Sequence, residues 1–596
     1  MIGLLGKGAA PDPAVARRML AAAPHRGPRH TLRALGSSVL GIATQEDHVD
    51  ASVSTEGTPF IAALLGRIDN GADLAGALRT AGFPPRSQSD ADLVVAAFQA
   101  WGDEAPARMR GSFSGMVSDG TTLWGFRDHV GFRPLFYHDD AHATVAAAES
   151  RQVAIGAGIG EAPDLEVLEL MFYGRMPANT PAALKGVGRL AQAHVFTARD
   201  AGALTQRRYW QPERLLESAR YAPSELQARF TELMTQAVSR TLSGEDVVLL
   251  SGGVDSPAVA AFAAPGHVER WARPLGALSA VFPDLPAVDE RPFIELVTQR
   301  YGIELHTFRP RARALDDVEE WCRVFASPIP ILSVPEVADN HARVRALGYR
   351  TILTGDFAEF VFGSPMHALA HLLTRGRWAS LLHLLHAERL RGAERGELLR
   401  ELGQAAVPGT VANWYYRIRG LDFPERIPDW LDARVVNQIP FRSDLLPAPH
   451  RRWREVQRSG LEGSTITIEA DELCAARVGA RVRRPFADVD LWEFFISLRA
   501  ETKFPDLRFK TLGKALLRGK VPDEILDRRR KTVFDDHVMT QIDYPLLARL
   551  FANPRHPMRG VNYRRLGERV AARDFNRFDW HWAQDLARIH AFLAAW

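Results

Sequence analysis

A short apolar run, Asp246–Leu250 (DVVLL), passes straight into Ser251-Gly252-Gly253-Val254-Asp255-Ser256 and then into the Ala-rich stretch Ala258–Ala264. A continuous apolar pentad is the pattern of a strand buried on both faces, as in parallel sheets. Two adjacent glycines let the backbone turn tightly and approach a ligand closely. A helix that starts at such a turn aims its first free N–H groups and the positive end of its dipole there. The turn therefore favours an anion, phosphate above all. Gly-Lys-Ser/Thr is absent, so this is not a Walker A loop. Asp255 lies inside the turn instead, and a carboxylate beside phosphates points to a bridging Mg²⁺. The plainer reading is an ordinary strand-to-helix turn. It explains neither the paired glycines nor the acid that follows them.

The segments Ala277–Val281, Glu304–Phe308 and Thr351–Thr354 are further short apolar strands with helical stretches between them, and Ser224–Thr241 has an amphipathic helical pattern. Alternating strands and helices predict an α/β fold with a doubly wound sheet. Upstream the texture differs. Thr58–Ile68 and Gly111–Trp124 are apolar and strand-like, and one clear helix, Ser89–Trp101, opens with Ser and Asp. That half reads as a layered α+β domain. After Pro365 the pattern is mainly helical. The reading gives two domains, 1–205 and 206–596, with the change of texture at about 205–222.

Composition narrows function more than fold. Hydrophobic residues are 46% and charged residues 24%, which excludes a disordered or fibrous chain. Lys+Arg number 74 against 71 Asp+Glu, and a net charge of +3 gives no sign of a nucleic-acid partner. No uninterrupted apolar run approaches the ~18 residues of a membrane span. Only Ile2, Leu4 and Leu5 precede Lys7, too little for a secretory signal. Two cysteines, Cys322 and Cys474, make neither a disulfide framework nor an all-cysteine zinc site, and they fit a reducing, cytoplasmic setting.

Ser-Gly-Gly-x-Asp-Ser is also the pyrophosphate loop of ATP pyrophosphatases, and other blocks, in the right order, make the chain resemble the asparagine synthetase superfamily. His25-Arg26-Gly27-Pro28 resembles its HRGP, Gly66–Asn70 its GEIYN, Arg127–Tyr137 its RDRxGxxPLYY, and Ala148-Glu149-Ser150 its ASE. Tyr209-Trp210 stands where the family writes YW, Thr354–Gly363 (TGDFAEFVFG) resembles SGEGADELFGG, and Pro485–Asp488 resembles PFLD. Lys514–Arg518 and Pro522–Phe534 resemble KxxLR and LPxxIxxRxKxGF. The resemblance implies an Ntn-hydrolase-like N-terminal domain of the class II glutamine-amidotransferase type. It implies a C-terminal synthetase domain with an ATP-pyrophosphatase-type parallel sheet and many helices.

It also implies a reaction. ATP adenylates a carboxylate, pyrophosphate leaves, and an amine displaces AMP to form an amide. ATP and Mg²⁺ are the implied cofactors. Ser251, Gly252, Gly253 and Ser256 would cradle pyrophosphate, and Leu250, Val281, Thr354 and Gly355 align with contacts to adenosine. Asp255 and Glu359 are the implied metal ligands. Asp356 stands where asparagine synthetases have Glu and β-lactam synthetases have Tyr, and is the candidate acceptor of the amine's proton. Alone, Arg528–Lys531 is a basic run of the kind that usually faces solvent. In register with RxKxGF, Lys531 becomes the lysine of the phosphates and the developing oxyanion.

Position 2 departs from the family pattern. Glutamine-dependent members carry a nucleophilic Cys there, and this chain has Ile2. HRGPR and GRIDN also differ from HRGPD and GEIYN. The expectation is an ATP-dependent carbon–nitrogen ligase without glutaminase activity, its N-terminal domain a structural relic. The amine would then come from the substrate itself or from ammonia. The helices after Pro365 with Arg375-Gly376-Arg377-Trp378, and Pro428-Asp429-Trp430-Leu431, resemble lasso peptide cyclases. In those, a peptide's N-terminal amine joins an Asp or Glu side chain as a macrolactam. A precursor peptide, a leader peptidase and a leader-binding protein are the implied partners, with no nucleic acid and no membrane. An ammonia-dependent asparagine synthetase, a β-lactam-synthetase-like enzyme and a non-catalytic scaffold are the alternatives.

Two weaker constellations complete the reading. His367 and His371 have zinc-like spacing on one helical face, but no third ligand is evident and helix-surface histidines are the simpler account. Trp414, Tyr415, Tyr416, Trp430 and Trp453 are candidates for a peptide groove beside the helical stretch Leu369–Leu402, although such aromatics more often fill cores.

Overall fold

The computed structural model describes residues 1–45, 50–173, 181–286, 288–365, 367–390, 411, 427–438, 453–454, 457, 465–528, 539 and 541–596. Lys531, Trp414, Tyr415, Tyr416 and residues 391–402 of the Leu369–Leu402 stretch lie outside the described residues.

The N-terminal half contains strands β1 (Ile2–Gly6), β2 (Arg29–Leu35), β3 (Ser38–Thr44), β4 (Ala51–Val53), β5 (Ile61–Ile68) and β6 (Gly111–Ser118). They are followed by β7 (Thr122–Arg127), β8 (Phe136–Asp139), β9 (Ala143–Ala147), β10 (Gly188–Arg189), β11 (His194–Arg199) and β12 (Thr205–Arg208). They form two six-stranded sheets, ordered β10-β8-β9-β1-β3-β2 and β12-β11-β7-β6-β5-β4. Leu5, Leu40, Ala63, Met116 and Phe196 fill the space between the sheets. Ala16, Met19 and Val153 of the helices Pro13–Ala21 and Ser150–Ala157 pack on the first sheet. Leu93, Val94 and Phe98 of Asp90–Trp101 cover the second. That helix starts as its sequence demands, with the Ser89 side chain accepting from Asp92 N. The Gly111–Trp124 stretch, read as one apolar strand-like piece, is two. Asp119 accepts hydrogen bonds from Thr121 N and Thr122 N at 2.9 and 2.7 Å and closes a hairpin between β6 and β7.

The C-terminal half is built on β13 (Asp246–Leu249), β14 (Gly276–Ala280), β15 (Glu304–Phe308), β16 (Thr351–Leu353) and β17 (Arg481–Arg483). They form a parallel sheet ordered β15-β14-β13-β16-β17. The chain moves outward from β13 on one side and returns on the other, so the crevice between the C-terminal ends of β13 and β16 is the switch point where such sheets bind ligands. The helices Pro223–Thr241 and Asp255–Trp271 contribute Phe230, Val238, Val259 and Phe262 to one core cluster with β13. Val344 of Val334–Ala346 and Ala475 of Thr465–Arg477 join Ile352 and Val482 in another. The expected α/β architecture, layered domain first and parallel sheet second, is what the chain adopts. Strand β17 went unread because Arg-Val-Arg has no apolar strand signature.

Arg483 of β17 is buried because a carboxylate from the other half meets it. Arg483 donates to Asp50 at 2.6 and 2.8 Å, and Arg133 reaches the same carboxylate at 3.3 Å. Arg133 also pairs with Glu472 at 2.6 Å, and Arg127 and Arg189 pair with Glu469 at 2.9 and 2.6 Å. Burial alone would raise the Asp50 pKa, but Arg483, Arg133 and Arg67 together hold it well below the usual carboxylate range. The two halves also share an apolar core, in which Phe172 meets Trp582 of the helix Arg577–Ala595 edge-on at 5.7 Å. Among the described residues no helix is long and apolar enough to cross a membrane.

Candidate active site

The turn after β13 is closed by its own serines. Ser251 N donates to Ser256 Oγ at 2.9 Å, the two hydroxyls lie 3.1 Å apart, and Gly253 N donates to Ser251 Oγ at 3.3 Å. The helix begins at Asp255, earlier than the Ala-rich stretch suggested, so Asp255 and Ser256 stand in its first turn. Gly252 N donates to Glu290 Oε2 at 2.9 Å, and Arg528 holds the other oxygen of Glu290 at 2.9 Å. A carboxylate on this amide is what an anion-attracting turn predicts.

The second loop follows β16. Its Gly355 is required by contact: a Cβ there would lie 2.5 Å from Ser256 N and 2.7 Å from the Asp255 carbonyl carbon. The two loops thus touch backbone to backbone, and no larger residue fits between them. Together they open on a cavity of about 620 Å³, lined by Ser251, Asp255, Ser256, Thr354, Gly355, Asp356 and Glu359 among others. Seven of the residues singled out from sequence therefore share one wall system.

The others are placed differently. Gly252 and Gly253 belong to the same turn without lining the cavity. Leu250 and Val281 are buried, and their amides donate to Leu278 O at 3.1 Å and Phe308 O at 2.9 Å, which leaves only their carbonyls for a ligand. Lys531 lies outside the described residues. His367 caps a helix with left-handed backbone, φ 65, while His371 is buried against Glu217 at 2.9 Å and stacks on Trp453. Trp430 is fully buried and donates to Asp579 at 3.0 Å. It and Trp453 are core residues.

The structure adds residues that sequence reasoning missed. Asp356 is bound by Thr354 Oγ1 at 2.8 Å and by Arg484 Nε at 3.3 Å. Arg484 is buried and also grips Asp471 and Glu472, which, with Asp356, keep it a cation against the pull of burial. His341 pairs with Asp471 at 2.9 Å, and both line the cavity with Arg484. Arg484 immediately precedes the Pro485–Asp488 block, so its neighbourhood was legible although its role was not. Lys510 lies 2.5 Å from Asp255 Oδ2 and 3.7 Å from Glu359 Oε1. The KxxLR match was set on Lys514, which donates instead to Leu526 O at 2.8 Å.

A cation thus already sits between the two implied metal ligands, and hard carboxylate oxygens suit Mg²⁺. Among the described residues no group of three or more His, Cys, Asp or Glu could hold a metal alone, so Mg²⁺ would share its shell with nucleotide phosphates and water.

Residues 229–596 match the asparagine synthase family, and residues 1–210 match the glutamine amidotransferase domain family. The chain is similar to "Asparagine synthetase [glutamine-hydrolyzing] 3" of Bacillus subtilis, 24% identical over 494 residues, which are 78% of this chain and 74% of that protein. A "Putative asparagine synthetase [glutamine-hydrolyzing]" of Mycobacterium bovis is 28% identical over 518 residues, 79% of this chain and 74% of that one. These matches correct the expectation of a ligase without glutaminase activity. The N-terminal half is a glutamine amidotransferase domain, and the relatives are named for glutamine hydrolysis. The asparagine synthase match supports ATP-dependent amide-bond formation through an adenylate. By the match over its larger part, the chain belongs to the asparagine synthase family.

Proposed function

We propose that the chain is an ATP- and Mg²⁺-dependent carbon–nitrogen ligase that closes a precursor peptide into a macrolactam, joining its N-terminal amine to an Asp or Glu side chain. One observation carries the ligase reading: Asp255, Glu359, Asp356 and Arg484 converge on a single cavity at the sheet's switch point. Its volume of about 620 Å³ is that of an ordinary ligand site and suits a nucleotide. The peptide reading is supported by the resemblance of Arg375–Trp378 and Pro428–Leu431 to lasso cyclases.

In this reading Ser251, Gly252, Gly253 and Ser256 hold the leaving pyrophosphate at the helix N-terminus. Asp255 and Glu359 hold Mg²⁺, which when bound neutralises charge on the leaving group. Asp356 accepts the proton that the amine loses as it attacks, and Arg484 keeps that carboxylate aimed into the cavity. Lys531 stabilises the oxyanion. Amine and carboxyl on one chain gain from orientation, with effective molarities of ~10⁵ M or more when well aligned. The leader peptidase and leader-binding protein act before this step.

The names of the relatives favour a second reading, amidation of aspartate. Mass spectrometry separates the two. Core peptides encoded beside the gene, given ATP and Mg²⁺, lose one water in the first case. L-aspartate with glutamine or ammonium yields asparagine in the second, and that result with unchanged peptides overturns the macrolactam reading.

A further inference from the structure

We infer that the ammonium of Lys510 is the placeholder for the divalent cation in the nucleotide-free site, and that the metal enters only as Lys510 is drawn off Asp255 toward the polyphosphate. The inference rests on reading Asp255 and Glu359 as the metal carboxylates.

The two carboxylates come from different loops and converge on one Nζ, at 2.5 and 3.7 Å. The two like charges brought together repel each other, and the ammonium between them offsets that repulsion. The Lys510 side chain is only 10% exposed, so its charge is withdrawn from water and answered mainly by these acids. Its backbone is left-handed, φ 63, just before the helix Thr511–Leu516. A β-carbon residue does not adopt that conformation readily, and here it delivers the side chain to the loops.

A dication on the same oxygens would stand a few ångströms from the ammonium and repel it. Ammonium and metal therefore exclude one another while the site is empty of anions. A nucleotide changes the sum. Its phosphates would add enough negative charge for both cations: Asp255 and Glu359 would be left to hold the metal, and the Lys510 ammonium would move to phosphate oxygens. Metal and nucleotide thus enter together, and metal alone binds weakly.

The test uses the full chain, with Mn²⁺ as the probe followed by electron paramagnetic resonance, and α,β-methylene-ATP as the nucleotide. Lys510→Met should bind Mn²⁺ about tenfold or more tighter than the parent without nucleotide, because a nearby positive charge is gone. The same variant should bind α,β-methylene-ATP more weakly in the absence of metal. Changes of opposite sign are the signature. Lys514→Met removes the same charge from a lysine bonded to a backbone carbonyl and should leave Mn²⁺ affinity within about twofold. If Lys510→Met matches the parent, or Lys514→Met tightens Mn²⁺ as much, the placeholder is overturned. Should Lys510→Met not fold, Lys510→Arg keeps the charge and must keep Mn²⁺ binding weak, and tight binding there overturns the inference equally. Asp255→Asn added to Lys510→Met should abolish the tight Mn²⁺ site. If it does not, the reading of the metal carboxylates fails, whatever Lys510 does.

Discussion

Two arginine–carboxylate assemblies lie back to back in this protein and differ in solvent access. Around Asp50, Arg483 and Arg133 close a cluster whose side chains are 3–4% exposed. Around Arg484, the same chemistry ends on Asp356, whose side chain is 57% exposed. Glu472 belongs to both, pairing with Arg133 on one side and Arg484 on the other. In the closed cluster each charge is spent on its neighbour, which fixes how the two halves dock. In the open one Arg484 is satisfied from behind, so the carboxylate it presents remains available to a ligand. Burial turns one assembly into structure and exposure turns the other into chemistry.

The sharpest way to break this comparison is to remove the closed cluster's acid. Asp50→Ala leaves Arg483 buried beside Arg133 and should cost ~3–5 kcal/mol, as breaking buried pairs does. Urea unfolding measures it, and a loss below ~1 kcal/mol would show the cluster to be dispensable. The open side should respond more in rate than in stability. Asp255→Ala should lower ATP–pyrophosphate exchange by ~10²–10³ or more, with Glu359→Ala close behind, while the urea midpoint falls less than in Asp50→Ala because Asp255 and Glu359 are more exposed than Asp50. Near-normal exchange in either variant would sink the pairing of the two loops.

Asp356→Asn should spare adenylation and slow amide formation by ~10², since the amide cannot take up the amine's proton. Quenched-flow detection of AMP-linked substrate reads this as accumulated adenylate. If product forms at the parent rate, the proton goes elsewhere, with the His341–Asp471 pair one alternative in the cavity.

The smallest effect tests a third assembly. Glu217 accepts from Arg377 at 2.8 and 2.9 Å and from Ala500 N at 3.0 Å, and pairs with His371. Burial would raise its pKa, but these partners bring it down to about 2, from 4.5. A carboxyl depressed in the folded state adds stability that is fully present above pH ~4.5 and lost as pH falls toward ~2. Wild type should therefore exceed Glu217→Gln by roughly 1.5 kcal/mol at pH 7, and the gap should close in that acid window. Urea midpoints taken at pH 7 and pH 3 decide the matter.

What was legible in the sequence follows the same division. The strand–turn–helix at Asp246–Ser256 could be read because every part is local: apolar run, paired glycines, acid, helix. The second loop could be read as its counterpart, and Gly355 explains why, since its missing Cβ is what lets the loops touch. Strand β17 could not. Arg481–Arg483 looks like a solvated basic run until Asp50 supplies a carboxylate from the other half, and nothing local announces that partner. Lys510 could not be read either, because it lies outside the KxxLR block at Lys514–Arg518 and only the fold brings it to Asp255. The amidotransferase half shows a different limit. One departure at Ile2 outweighed several matching blocks in that reading, and the family match across residues 1–210 restored the balance.

The Asp50–Arg483 pair spans 433 residues. During synthesis at ~5–20 residues per second, its acid emerges roughly 20–90 s before the base that completes it. Arg133 follows Asp50 by 83 residues, and from then on the N-terminal sheets have Arg133 but not Arg483. The first half of the chain must therefore wait on the ribosome with an underpaired acid at its docking face, so its final compaction is timed by the arrival of a strand made near the end.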